Sequence, residues 1–208
     1  MAEIQTIVFD LGGVLIDWNP RYLYRKLLKT ATEIEFFLNN ICTAEWNAQQ
    51  DAGRTFRDGV TLLQKQHPHY IDLIAAYETR WEEMLGGADE ATVEILRAAK
   101  KTGMPVFALT NWSAETFPVA RKHYEFLSWF DGIVVSGEER IRKPDRAIFN
   151  ILLERYKIEA RRTVYIDDVK ENILAAAQVG LHAIHFQNAV QLRAALHELG
   201  ISNMSAKN

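Results

Sequence analysis

Cysteine is almost absent from this sequence: its 208 residues include only Cys42, so no disulfide can form within the chain. A chain without disulfides is typical of a reducing compartment, and we expect a cytoplasmic protein. Residues 1–10 lack a basic stretch followed by a long apolar one, so no secretory signal is predicted. No apolar run approaches the roughly 20 residues of a membrane-spanning helix, which argues against a membrane protein.

A strong net charge is lacking as well. The 24 lysines and arginines and the 27 aspartates and glutamates leave a formal charge of −3, and both signs are mixed along the sequence. This balance gives no electrostatic case for nucleic acid or an anionic membrane surface, so neither is an expected partner. Hydrophobic residues make up 48% of the chain, which is enough for one large domain, or one domain with a small insert.

Internal repeats and low-complexity segments are also absent, and short apolar strands alternate with helices over most of the chain. We predict strands near residues 6–9, 105–109, 132–136, 163–166 and 182–186. Helices are predicted at 90–101, at 113–123 with an interruption at Pro118, from Pro144, at 172–179 and at 191–199. This alternation predicts an α/β protein with a Rossmann-like parallel sheet and helices on both faces.

Residues 19–86 depart from that rhythm, because they contain helical patterns and no convincing strand. The clearest apolar stripe has the 3-4-3-4 spacing of one helical face and comprises Tyr70, Ile74, Tyr77, Trp81 and Met84. Four such stripes predict a small helical bundle. We therefore divide the chain into a core domain, residues 1–18 and 87–208, and a helical cap, residues 19–86, inserted after the first strand. The pair Gly86-Gly87 is expected to act as a hinge.

Polar side chains follow three of the predicted strands. Asp10 ends the first strand, Thr110 the second and Asp167-Asp168 the fourth, while Lys143 precedes a predicted helix. Because the carboxyl ends of parallel strands share one rim of a sheet, we expect these side chains to lie close together. Each alone has an ordinary explanation, such as a strand-end turn or a solvated lysine, but their combination is more specific.

The chemistry of this set suits a phosphate ester. Paired carboxylates favour Mg²⁺, a hard cation that prefers oxygen ligands. Lys143, Thr110 and the backbone amides of residues 11–14 are suited to binding a phosphate. Asp10 is then placed to attack phosphorus and form an aspartyl phosphate, while Mg²⁺ offsets the repulsion between the carboxylate and the anionic substrate.

With these residues, the chain resembles the haloacid dehalogenase superfamily, mainly its phosphatases with a helical C1-type cap after the first motif. The resemblance covers essentially the whole chain, with motifs at residues 8–15, 107–111, 142–144 and 164–168, the last followed by Asn172. It implies that Asp10 is the nucleophile and that Lys143 takes part in catalysis. The implied phosphate-binding residues are Thr110, Asn111 and Lys143. The implied Mg²⁺ ligands are Asp10, the backbone carbonyl of Gly12, Asp168, and Asp167 directly or through water.

Gly12 departs from the family pattern. Most phosphatases of this superfamily carry a second Asp there, which protonates the leaving group and then activates water. Losing such a group usually costs ~10²–10⁴ in rate. Because Gly12 replaces it here, the residue that acts as general acid/base in this chain is unassigned. The Asp-Leu-Gly order resembles a branch that includes α-D-glucose-1-phosphate phosphatase, which makes a sugar phosphate a candidate among small phosphorylated metabolites.

Two alternatives remain open. A 2-haloacid dehalogenase also lacks the second Asp, but that branch does not normally pair two acids at the fourth motif, so we prefer a phosphatase. The third interpretation is a catalytically weak homologue that binds a phosphorylated ligand or a protein partner. In the cap, Trp46 and residues 51–54 form a predicted polar turn from which Arg54 would contact the substrate, unless it is simply solvated. The sequence predicts neither the exact substrate nor the oligomeric state.

Overall fold

The computed structural model describes residues 3–201. Its strands are β1 (Thr6–Phe9), β2 (Ile16–Trp18), β3 (Leu85–Ala88), β4 (Val106–Thr110), β5 (Gly132–Val135), β6 (Thr163–Asp167) and β7 (His182–His185). Its α-helices are α1 (Arg21–Tyr24), α2 (Ala31–Asn40), α3 (Ala44–Asp51), α4 (Phe56–Gln66), α5 (Ile71–Thr79), α6 (Glu90–Lys101), α7 (Phe117–His123), α8 (Ser136–Glu139), α9 (Arg146–Tyr156), α10 (Lys170–Val179) and α11 (Ala189–Glu198). Short 3₁₀ helices lie at Pro68–Tyr70, Trp81–Met84, Glu125–Trp129 and Ala160–Arg162.

The central sheet is parallel and has the strand order β5-β4-β1-β6-β7. Strand β1 lies in the middle, with Phe9 opposite Ala108 on one side and Ile166 on the other. Successive residues of β1 face opposite sides, so Ile7 and Phe9 join one hydrophobic core and Val8 joins the other. The predicted α/β fold with helices on both faces is confirmed.

A second, two-stranded sheet was not predicted. Strands β2 and β3 pair antiparallel, with Ile16 opposite Ala88, and they bracket the helical segment. The expected hinge at Gly86-Gly87 therefore lies within a strand. At Gly86, a Cβ would sit 2.3 Å from a carboxylate oxygen of Asp17, so the missing side chain permits the close approach of the two strands. Strands of three and four residues with two glycines carry no usable periodicity, which is why the sequence did not indicate them.

The helices of residues 21–84 also differ in detail from the prediction. Trp46 lies inside α3 rather than in a polar turn, and the stripe from Tyr70 to Met84 is divided between α5 and two 3₁₀ turns. An aromatic core holds these helices together, with ring centroids of Trp46 and Tyr77 5.0 Å apart. Pro118 does not interrupt α7 but lies in its first turn, where the missing amide hydrogen costs no helical hydrogen bond.

Contacts between the helical segment and the central sheet domain fix the position of α3 and α4. The Ser136 hydroxyl donates to the backbone carbonyl of Asp51 at 2.5 Å. The backbone amide of Phe56 donates to the carboxylate of Glu115 at 2.6 Å. These contacts place the end of α3 beside the start of α8, and the start of α4 beside the loop that follows β4. Within residues 3–201, no helix combines the length and apolarity needed to cross a bilayer.

Candidate active site

Asp10 immediately follows β1 at the carboxyl edge of the sheet and is buried. Its Oδ1 atom accepts a hydrogen bond from the backbone amide of Leu11 at 2.7 Å. The following turn is closed by Gly13, whose amide donates to the carbonyl of Ile16 at 2.9 Å and whose φ is +75°. This left-handed backbone is the reason glycine suits position 13.

Lys143 is buried and lies at the centre of the site. Its Nζ atom lies 2.9 Å from Oδ1 of Asp10, 2.7 Å from Oδ2 of Asp167 and 2.9 Å from the carbonyl oxygen of Leu109. These three partners account for all three ammonium hydrogens. Asn111 fixes the backbone of the same residue, because its side chain accepts from the amide of Lys143 at 2.8 Å and donates to its carbonyl at 3.0 Å.

Asp167, the last residue of β6, is buried and surrounded by donors. Besides Lys143, its carboxylate accepts from the Tyr165 hydroxyl, from the Val169 amide at 2.8 Å and from the Asn172 side chain at 3.1 Å. These contacts favour Asp167 as the residue that holds Lys143. The resemblance left two arrangements open for Asp167, direct contact with a cation or contact through water. Because its carboxylate already accepts hydrogen bonds from four groups, contact through water is favoured.

Asp168 completes a carboxylate cluster with Asp10 and Asp167. One carboxylate oxygen from each residue lies within 4.8 Å of the others, and Asp168 is the exposed member. With Lys143, the fully ionised cluster has three negative charges and one positive charge, so a divalent cation would balance it. Hard carboxylate oxygens in this number are the donors that Mg²⁺ prefers. The residues present therefore fit a magnesium ion.

The electrostatics of the cluster follow from burial and close charges. Burial raises the pKa of Asp10 to about 8, although the ammonium of Lys143 opposes this rise. Burial lowers the pKa of Lys143, but Asp10 and Asp167 outweigh it and hold that pKa above its usual range. Burial also raises the pKa of Asp167, yet Lys143 brings it below normal. Burial, with Asp167, raises the pKa of Asp168.

Thr110 ends β4 at the same edge and is 1% exposed. Among the described residues its Oγ1 atom has no hydrogen-bond partner. Leaving a buried hydroxyl unpaired costs free energy, so such a group calls for an explanation. A phosphate oxygen bound beside Asp10 would provide the missing partner.

A cavity of about 100 Å³ lies at this edge of the sheet, with Gly12 in its lining. Its apolar walls come from both the helical segment and the core: Trp18, Phe56, Trp81 and Trp112. Its polar lining residues are Asn47, Asp51, Asn111, Ser113 and Thr116. The indole nitrogens of Trp18 and Trp112 are buried and lack partners among the described residues.

Arg54 is not part of this lining. Its guanidinium donates to the side chains of Gln50 and Gln49, both at 2.6 Å, and to the Trp46 carbonyl at 3.0 Å. It also lies over the ring of Trp46, 5.7 Å from the centroid. The predicted substrate contact of Arg54 receives no support from these bonds, which favour a structural role inside the helical segment.

The structure thus brings Asp10, Lys143, Asp167 and Asp168 together, as the strand ends predicted, with Thr110 at the same edge. The contribution of Tyr165 was not predicted. A signal existed, because Tyr165 is two residues before Asp167 and therefore shares its face of β6. Asn172 belonged to the fourth motif, but its bond to Asp167 was not assigned.

Comparison with known proteins places the chain among hydrolases. A family model described as haloacid dehalogenase-like hydrolase matches residues 4–180. The sesquiterpene phosphatase astK of Aspergillus oryzae is 30% identical over 202 residues, which cover 95% of this chain and 97% of that protein. The GMP/IMP nucleotidase YrfG of Escherichia coli is 23% identical over 195 residues, or 86% of this chain and 81% of that protein.

Solved structures share the fold. A HAD family enzyme from Bacteroides thetaiotaomicron, in complex with magnesium and inorganic phosphate, superposes with a TM-score of 0.67. The two sequences are 22% identical, and the match covers 89% of this chain and 95% of that one. At this identity the likeness establishes the architecture of the sheet and its helices.

Proposed function

The chain belongs to the haloacid dehalogenase-like hydrolase family, and we propose that it is a Mg²⁺-dependent phosphatase acting on a small phosphomonoester. The observation that carries this proposal is the arrangement of Lys143, enclosed between the carboxylates of Asp10 and Asp167 at the sheet edge. The unpaired hydroxyl of Thr110 at the same edge supports phosphate as the group bound there. A cytoplasmic location remains part of the proposal.

In the proposed reaction, a carboxylate oxygen of Asp10 attacks phosphorus and the bond from phosphorus to the leaving oxygen breaks. The bonds from Leu11 and Lys143 to Oδ1 fix the orientation of the attacking carboxylate before substrate arrives. Thr110 then donates a hydrogen bond to a phosphoryl oxygen as charge shifts onto it, and the positive charge of the buried Lys143 ammonium stabilises the same developing charge. Water hydrolyses the aspartyl phosphate and frees Asp10.

Asp10, Asp168 and the Gly12 carbonyl would hold the metal ion, with Asp167 contacting it through water. When bound, Mg²⁺ would supply the positive charge that lets an anionic phosphate approach an anionic carboxylate. Asp167 itself keeps Lys143 in place through the bonds described above.

For the substrate, two classes are candidates. The first-motif resemblance favours a sugar phosphate, and the polar residues Asn47 and Asn111 in the cavity suit a hydroxylated leaving group. The aromatic walls formed by Trp18, Trp81 and Trp112 favour the phosphate of an apolar alcohol instead, since they offer mainly apolar contact area. The similarity to a sesquiterpene phosphatase agrees with this second class.

The test is phosphate release from aryl, sugar and apolar alcohol phosphates, with Mg²⁺ or with excess EDTA. We expect release that needs Mg²⁺ and is lost in Asp168→Ala with the circular dichroism spectrum unchanged. Asp72→Ala, which removes an exposed carboxylate of the helical segment, is the matched control and should behave as wild type. Activity that survives EDTA unchanged would contradict the metal assignment.

The same assay separates the alternatives. Chloride release from 2-chloropropionate without metal, together with no phosphate release, would favour the dehalogenase. Binding of phosphate with no turnover of any ester would favour a catalytically weak homologue. In the phosphatase, Asp10→Asn should also prevent beryllium fluoride from binding as a mimic of the aspartyl phosphate.

A further inference from the structure

The unsolved chemical step of the proposed phosphatase is proton transfer, because Gly12 stands where related enzymes carry an acid. The structure leaves room for that missing side chain. A Cβ built on Gly12 meets no atom within 4 Å, and its φ lies outside the left-handed range. The space beside Gly12 is therefore an open part of the cavity. Side chains on the opposite wall of the cavity can approach a leaving oxygen there.

Asp51 is the ionisable side chain in the lining of that cavity, among the residues that the structure describes. It is the last residue of α3, so it comes from the helical segment and not from the sheet. The lining residues near it, Asn47 and Ser113, carry no charge. If a side chain of this chain exchanges a proton with substrate in the cavity, Asp51 is the available group.

Contacts from both parts of the molecule hold Asp51 in place. The Asn47 side chain donates to Oδ2 of Asp51 at 3.1 Å, and the backbone of Ser113 lies beside the same carboxyl group. The main-chain carbonyl of Asp51 accepts from Ser136, whose hydroxyl also accepts from the amide of Trp112 at 3.0 Å. Asp51 is thus fixed against the loop that carries Asn111 and Trp112.

We propose that Asp51 is the general acid and base of this enzyme, in place of the acid absent at position 12. The inference rests on the proposed phosphatase reaction. As Asp10 bonds to phosphorus and the ester oxygen leaves, protonated Asp51 gives that oxygen its proton, which yields a neutral alcohol and an ionised Asp51. Asp51 then takes a proton from the water that attacks phosphorus, the Asp10–phosphorus bond breaks, and inorganic phosphate departs.

The surroundings of Asp51 agree with both roles. Burial raises the pKa of Asp51 to about 7, opposed by the guanidinium of Arg142 and by the amide of Ser113. Tyr77 also faces it and is itself held protonated by burial. A proton-transfer group works best when both of its forms are populated near the working pH, and a pKa of about 7 satisfies that condition.

The test compares leaving groups in Asp51→Asn, a change that keeps size and the ability to accept hydrogen bonds. For an alkyl phosphate, whose leaving oxygen needs a proton, we expect kcat/KM to fall by about 10²-fold or more. For p-nitrophenyl phosphate, whose leaving group needs none, kcat/KM should change by less than about 3-fold. Because the base for the second step is also lost, p-nitrophenol should appear as a burst of one equivalent per enzyme.

Rescue supplies the second readout. In Gly12→Asp/Asp51→Asn, a carboxyl group placed in the open space at position 12 should restore most of the lost kcat/KM for the alkyl phosphate and remove the burst. Asp72→Asn is the control, since it makes the same chemical change at an exposed site of the same helical segment. Its kinetics should match wild type.

Other outcomes overturn the inference in distinguishable ways. An Asp51→Asn protein that is folded and active, with no loss or an equal loss across all leaving groups, refutes the role of Asp51 and leaves the phosphatase standing. A wild-type protein that releases no phosphate from p-nitrophenyl phosphate refutes the phosphatase and the role of Asp51 with it. An Asp10→Asn variant of normal activity refutes the aspartyl-phosphate mechanism, and the two steps assigned to Asp51 fall with it.

Discussion

The site has a floor and a roof that are built in opposite ways. We define the floor as Asp10, Lys143, Asp167 and Asp168, and the roof as the cavity walls Trp18, Phe56, Trp81 and Trp112. In the floor, Lys143 has three hydrogen-bond partners and Asp167 has four.

In the roof, by contrast, two buried indole nitrogens lack partners among the described residues. Because the charged groups of the floor are fixed by ion pairs and hydrogen bonds to one another, the atoms that attack and bind phosphate have little freedom to move. A roof of apolar walls with unpaired donors can instead adapt to the leaving group. We therefore expect substitutions in the floor to change the chemistry and substitutions in the roof to change the choice of substrate.

The largest expected effect comes from Asp10→Asn in the floor. The amide keeps the shape of the side chain but removes the nucleophile, so turnover should fall by at least ~10⁴-fold for every leaving group. Steady-state phosphate release measures this, and wild-type-like thermal unfolding would establish that the fold survives. A loss confined to poor leaving groups would mean that Asp10 does not attack phosphorus.

Lys143→Met should produce the largest loss of stability. Removing a fully buried ammonium leaves two carboxylates facing each other without compensation, which costs about 3–5 kcal/mol. Urea unfolding in EDTA measures the free energy of unfolding. Lys65→Met, at an exposed position, should change it by less than about 0.5 kcal/mol. Equal effects in the two variants would contradict the central role given to Lys143.

Two adjacent glycines allow a direct comparison of the two regions, because Gly13 packs against Asp168 of the floor and Gly12 lines the cavity under the roof. At Gly13 a Cβ would lie 2.3 Å from Oδ2 of Asp168, on a backbone with φ of +75°. We expect Gly13→Ala to lose about 1–3 kcal/mol of stability and to need about 10-fold more Mg²⁺ for half-maximal activity. Gly12→Ala, which faces the open cavity, should leave both quantities nearly unchanged. Magnesium titrations and urea unfolding of the pair test this, and the reverse order would contradict it.

Arg54→Met should have the smallest effect on activity. Because the guanidinium bonds lie within the helical segment, KM for p-nitrophenyl phosphate should change by less than about 3-fold, while stability falls by about 1 kcal/mol. A large rise in KM without loss of stability would restore Arg54 as a substrate contact. Kinetics and unfolding of the same preparation decide between the two roles.

The three carboxylates of the floor could be predicted from the sequence because they stand at strand ends. Short apolar runs marked β1, β4 and β6, and parallel strands present their carboxyl ends at one edge, so Asp10, Thr110 and Asp167 had to meet. The helical segment was harder. Trp46 was assigned to a turn although it lies in α3, because a short helix with one buried aromatic has little periodicity to detect.

The sequence by itself determined the alternation of strands and helices and the residues gathered at the sheet edge, because these depend on local periodicity and on chain order. Only the tertiary structure decided that β2 pairs with β3, that Lys143 bridges Asp10 and Asp167, and that Arg54 bonds inside the helical segment. Pairing and packing join residues far apart in the chain, and no local pattern encodes which distant partner a side chain will meet.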